Sequence, residues 1–294
     1  MTVQHTSAGE PSGTAPGSDP VASTAGPERP SGRFSPLTTL ALLLVAGALF
    51  PAFWVRIIDA DLFMHLKAGE LIWEIRGIPA TDPFSATARG REWIVHEWLW
   101  EAVAWPIQHW GGWLGLSVAR LMCFATALLL AMLAGRRRGA SWLACAASAL
   151  VMICPLMAFP EIRPQTVTFV FFSLVLLLFE AARTCPRLLL ALPPLTVLWA
   201  NFHGAFLILF VLAAVVLGGW GLEMILDARK RQRSGHGAES GGMGRALRGH
   251  ALFRPAVWLA GASAASLGFS LINPHGTALI TYPLCVLGDE TLRR

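Results

Sequence analysis

The stretch LGLSVARLMCFATALLLAMLA, residues 114–134, carries a single charge, Arg120, and Gly135-Arg136-Arg137-Arg138 follow at once. About 20 apolar residues in a helix match the thickness of a bilayer's hydrocarbon core. Arginines clustered just past such a block favour the cytoplasmic side. The stretch therefore reads as a membrane-spanning helix that ends inside.

Six further apolar blocks lie at residues 36–55, 141–159, 166–182, 188–200, 205–222 and 255–272. The block at 188–200 is short and contains Pro193-Pro194, so it reads either as a kinked span or as a re-entrant piece. The whole chain agrees with this pattern. Of its 294 residues 54% are hydrophobic and only 14% charged, whereas soluble domains carry about 25% charged residues. An ordinary soluble enzyme, a disordered protein and a disulfide scaffold are excluded on that ground. The five cysteines form no C-x-x-C pair, which argues against a zinc framework. A net charge of +5 does not indicate a nucleic-acid partner, because the basic residues sit in short loops between apolar blocks.

Orientation follows from those loops. With the N-terminus inside, the cytoplasmic segments hold 14 of the 23 Lys and Arg residues, seven of them between Arg229 and Arg254. The short outer segments hold only Arg163, Arg293 and Arg294. The expected fold is all-α: a polytopic transmembrane helix bundle of about seven spans. Residues 1–35, rich in Ser, Gly, Pro and Thr, read as a disordered cytoplasmic tail. Residues 36–294 form the transmembrane domain, with an outer loop at 56–113 and a cytoplasmic linker at 223–254. The end of the chain, just past an outer-side motif, reads as an incomplete C-terminus.

The outer loop is too patterned to be a plain connection. Residues 61–76 predict an amphipathic helix with an acidic N-cap, ended by Gly77 and Pro79. Residues 96–109 predict a second one. Eight of the twelve tryptophans lie between Trp54 and Trp113, as on an interfacial surface. Eight of the 18 acidic residues, Asp59, Asp61, Glu70, Glu74, Asp82, Glu92, Glu97 and Glu101, share the same segment.

The remaining polar motifs are scattered in sequence but fall on the outer side of this topology. Polar groups near membrane depth are costly unless buried in protein or facing water, which makes them functional candidates. Asp59 and Asp61, one residue apart, suit a hard divalent cation or a general base beside an ionised neighbour. The plain alternative is that Asp61 only caps a helix and Asp59 is solvated. His65 lies one turn beyond Asp61. His96-Glu97 begins the zinc-protease pattern H-E-x-x-H, but Trp100 stands where the second histidine belongs. The pair then either lines a pocket or decorates a surface helix. Arg163, between Pro160 and Pro164, suits a lipid phosphate or acts as a headgroup anchor. Asn201-x-His203-Gly204 recurs as Asn273-x-His275-Gly276, which reads as ligand-contacting turns or as helix ends.

These segments together resemble a group of bacterial multi-pass proteins distantly related to the GT-C class of glycosyltransferases. The resemblance rests on DADLFMHLKAG at 59–69, IPATDPFS at 78–85, WIVHEWLWE at 93–101, Arg163-Pro164-Gln165, WANFHG at 199–204 and NPHG at 273–276. It implies transfer of a sugar from a polyprenyl-phosphate donor to an acceptor at the outer face of the bacterial cytoplasmic membrane. It also implies a catalytic or metal-ligating acid in the first outer loop, here Asp59 or Asp61, with Mg or Mn as the metal. The substrate-binding candidates are His65, His96, Glu97, Arg163, Gln165, Asn201, His203, Asn273 and His275, and the partners are the polyprenyl-phosphate sugar and membrane lipids. Two rivals remain at this level: a non-catalytic partner in envelope glycan assembly, and a transporter or lipid flippase.

Overall fold

A computed structural model describes residues 34–51, 59–87, 89–157, 161–233 and 242–281. Residues 1–33 of the expected tail at 1–35 lie outside these residues, as do 52–58, 88 and 158–160, residues 234–241 of the expected linker, and 282–294. The described chain is helical, and its only strand-like feature is a bridge between Thr81 and Glu92.

Helices form at each expected apolar block. α1 is Pro36–Leu49, opened by a proline whose missing N–H is harmless at a helix start. α2 is Ala60–Ile75 and α3 is Trp98–Arg137. α4 (Trp142–Met157) and α5 (Gln165–Ala182) follow. A 3-10 turn, Pro186–Ala191, leads into α6 (Leu192–Phe202), and a second, Gly204–Leu207, leads into α7 (Ile208–Arg233). α8 is Gly242–Arg248, inside the expected linker, and α9 is Phe253–Phe269.

Trp98–Arg137, Gln165–Ala182 and Gly204–Arg233 are long and apolar enough to cross a membrane. α1 and α4 are apolar but shorter. In the block at 188–200, expected as a kinked span or a re-entrant piece, the proline pair sits in the first turn of α6, so the prolines begin the helix.

The expected surface helix at 96–109 and the block at 114–134 are one continuous run, α3, bent at Gly112. That residue adopts φ 58° and ψ −158°, which only glycine takes readily. Sequence breakers at 111–112 mark a bend here rather than a loop.

α2 starts one residue earlier than expected, with its cap two residues before Asp61. Its N-cap is Asp59, whose side chain accepts from the Asp61 backbone N–H at 3.1 Å. It ends on Arg76 in the left-handed region, with the Arg76 and Gly77 N–H groups both donating to Ile72 O. α2 crosses α3 at Gly69, where a Cβ would lie 2.3 Å from the Glu101 carbonyl oxygen. No other residue permits that approach, and it sets the distance between the two helices.

Packing divides the apolar interior into three clusters. α1, the second leg of α3 and α4 share one around Phe124 and Ala146. α5, α6, α7 and α9 share another around Trp199, Phe206 and Leu259. The third, built from Leu62, Leu66, Trp100, Ala104, Leu116 and Ile162, lies under α2 and the first leg of α3. It underlies the polar groups described next.

Candidate functional site

Three connections bring the scattered motifs together: the N-terminus of α2, the N-terminus of α3, and the segments flanking α5 and α6. Two polar groups result.

The first closes on Arg163. Its Nε and Nη2 donate to Asp59 Oδ2 and Oδ1, both at 2.8 Å, and Nη2 lies 3.0 Å from Asp61 Oδ2. Asp59 is buried, so it is not the solvated loop residue of the plainer reading, whereas Asp61 is exposed. The Arg163 hydrogen bonds, with its charge and the Asp61 N–H, hold the Asp59 pKa below the ordinary carboxylate value against burial. The same pairing raises the pKa of Arg163. This arrangement does not fit a divalent cation on Asp59 and Asp61. Both Asp59 oxygens are already engaged by a guanidinium, which stands where the metal was expected. Nor do three or more His, Cys, Asp or Glu side chains stand arranged to hold a metal ion among the described residues.

The second group centres on Glu97. This residue is the N-cap of α3, yet its carboxylate makes no capping hydrogen bond to its own helix. It turns instead toward three imidazoles. His96 Nε2 and His203 Nε2 lie 3.5 and 3.4 Å from Oε1, and His65 Nε2 lies 3.6 Å from Oε2. Burial raises the Glu97 pKa, but the His96 hydrogen bond and the charges of His96, His203 and His65 outweigh it, and the net shift is downward. Burial also lowers the His96 pKa, but Glu97 reverses the sign and leaves it raised. At His203 burial prevails over the Glu97 charge, and its pKa falls. The site thus sets a carboxylate with a lowered pKa beside one imidazole whose pKa is raised and one whose pKa is lowered.

Outer contacts hold these rings in place. His65 Nδ1 meets Glu101 Oε1 at 3.0 Å, deep in the fold, while Glu101 Oε2 is buried with no hydrogen-bond partner. His65 also packs edge-on against Trp100. His203 Nδ1 lies 2.8 Å from Thr168 Oγ1, and Trp199 Nε1 donates to that same oxygen at 3.0 Å. Gly204 backs the His96 ring.

The two Asn-x-His-Gly turns behave differently. Asn201 accepts from Trp98 Nε1 at 2.7 Å and donates to Val197 O and Ile272 O, which ties α6 to α3 and to the end of α9. Asn273 holds its own turn through Ser270 O and the His275 N–H, and His275 Nε2 reaches Val95 O at 3.1 Å. Of the pair, only the first places its histidine on Glu97. Gln165 opens α5, half-buried, and joins neither group in the described contacts.

Two apolar grooves of about 680 and 750 Å³ flank Trp98, next to Glu97 in the chain. One is bounded by Leu99, Val197, Leu198 and Ile272, the other by Ile72, Trp73 and Ile78. None of Glu101, Thr168, Trp98 and Trp199 was among the site candidates, although Glu101, Trp98 and Trp199 lie within the quoted motifs. The four-residue spacing of Glu97 and Glu101 on one helix face was the available signal for the first.

Compared with known protein families, characterised proteins and solved structures, the chain matches none. The functional reading therefore stands on the site itself.

Proposed function

We propose that the chain is a membrane-embedded sugar transferase of GT-C-like type. It would take a sugar from a polyprenyl-phosphate donor and pass it to a hydroxyl at the outer face of the bacterial cytoplasmic membrane. In this reading the chain crosses the membrane about seven times, with its N-terminus in the cytoplasm. Exposed apolar side chains on α1, α4 and α7, such as Leu43, Val151, Val211 and Val215, support a lipid environment.

One observation carries the proposal: the carboxylate of Glu97, the N-cap of α3, makes no cap on its own helix and instead meets the neighbouring His96 and two histidines from distant parts of the chain, His65 and His203. A carboxylate so placed accepts a proton from an acceptor hydroxyl, and the raised pKa of His96 suits proton return to a leaving phosphate. The grooves beside Trp98 offer apolar surface to a prenyl chain. Arg163, fixed by Asp59, braces the connection before α5 in this scheme rather than serving a metal.

The test is transfer from a polyprenyl-phosphate sugar by the full chain in lipid nanodiscs. Glu97→Gln should lower transfer by about 10²–10⁴, the usual contribution of a general base, with membrane insertion unchanged. Undiminished transfer by this variant would refute the role of Glu97.

A further inference from the structure

Thr168 sits in the first turn of α5, in an apolar run where it has no evident duty. Its hydroxyl is buried and meets two groups, Trp199 Nε1 at 3.0 Å and His203 Nδ1 at 2.8 Å. An indole N–H only donates, so one lone pair of Thr168 Oγ1 is committed to Trp199. The hydroxyl proton then needs an acceptor, and His203 Nδ1 is the one within reach among the described residues. A buried hydroxyl left without an acceptor costs about 1–3 kcal/mol. The hydroxyl therefore donates to Nδ1, and the single proton of neutral His203 resides on Nε2. That nitrogen faces Glu97 Oε1.

We infer that Thr168 and Trp199 are positioning residues that lock His203 in its Nε2–H tautomer, so that it presents a proton to the Glu97 carboxylate. The inference rests on the reading of Glu97 as the reactive carboxylate only for its consequence, not for its geometry. Trp199 contributes twice: its backbone oxygen accepts the His203 N–H at 2.8 Å, and its indole orients the threonine that orients the ring. The other groups around His203 are Glu97, His96 and His65, and the charges of the two histidines oppose a second proton on it. His65 differs, because a carboxylate, Glu101, faces its Nδ1. Of these two rings set on Glu97, His203 is then the fixed donor, whereas His65 lies between two carboxylates, Glu97 and Glu101.

Nitrogen-15 NMR of histidine-labelled full chain in nanodiscs reads this directly, with the His203 signals assigned by loss in His203→Asn. Wild type and Thr168→Ser should show His203 protonated at Nε2 and bare at Nδ1. Thr168→Val should lose that signature, with His203 moving toward the Nδ1–H form or exchanging between forms. An Nδ1–H signature in the wild type would overturn the inference without any variant being made. So would an unchanged His203 signature in Thr168→Val. The measurement needs no sugar donor, so a failed transfer assay with the expected tautomer would count against the proposed function alone.

Discussion

α5 ends in two different charge environments, and the contrast between them separates structural from functional polarity. At its C-terminal end Glu180 pairs with Arg138 at 2.6 Å, and Arg183 reaches Glu223 at 3.5 Å. Both pairs are partly exposed, and Arg136 and Arg183 also lie over Trp142 and Trp220. Glu180 and Arg183 each have an opposite partner near by, as expected of partly exposed surface pairs. About 27 Å away at the helix's rise per residue, the N-terminal end carries buried Asp59 and the Glu97 group. Here carboxylates and imidazoles are drawn from the surface and set against one another. Such arrangements are costly to build, and that cost is the reason to look for chemistry at this end.

The largest structural effect should come from removing Arg163. Asp59 would remain as a buried, unpaired carboxylate, and stability should fall by about 3 kcal/mol, the lower part of the range for a broken buried pair. Arg163→Lys should restore only part of this, because the two-pronged contact needs a planar guanidinium. Thermal unfolding in detergent would measure both.

Gly69→Ala should follow at about 1–3 kcal/mol, since its Cβ would meet the Glu101 carbonyl and force α2 from α3. The same change should lengthen the His65–Glu101 contact, visible as an altered His65 resonance.

Acid should act on the same end. The Asp59 pKa is lower in the folded chain than its ordinary value of 3.8. The stabilisation it gives is therefore complete above that value and is lost as pH falls through the lowered folded pKa. Unfolding measured from pH 6 downward should show this loss in the wild type and a smaller one in Arg163→Ala, where the lowered Glu97 pKa still contributes. The smallest effect belongs to the opposite end: Glu180→Gln should cost under about 1 kcal/mol and should fade further with added salt.

The same contrast explains what the sequence discloses. Helices are legible because long apolar blocks signal themselves by composition, and every block expected to be helical in the described residues is so. The bend at Gly112 and the early start of α2 were not legible. The first depends on a single backbone conformation and the second on which of two aspartates turns inward. Asp59 turns inward because of Arg163, 104 residues away, which no local pattern records. His65, His96, Glu97 and His203 stood out as polar residues in apolar surroundings. Thr168 did not, because threonine is unremarkable in a span, and Glu101 passed for one of many surface acids. The second copy of Asn-x-His-Gly follows the helix-end alternative, with Asn273 holding its own turn.

The comparison between the two ends is tested most directly by assaying Glu97→Gln and Glu180→Gln side by side, for sugar transfer and for melting temperature, in the same nanodiscs. The account predicts that Glu97→Gln loses transfer by about 10²–10⁴ while Glu180→Gln transfers like the wild type, with both variants folded. Equal transfer by the two folded variants would contradict it.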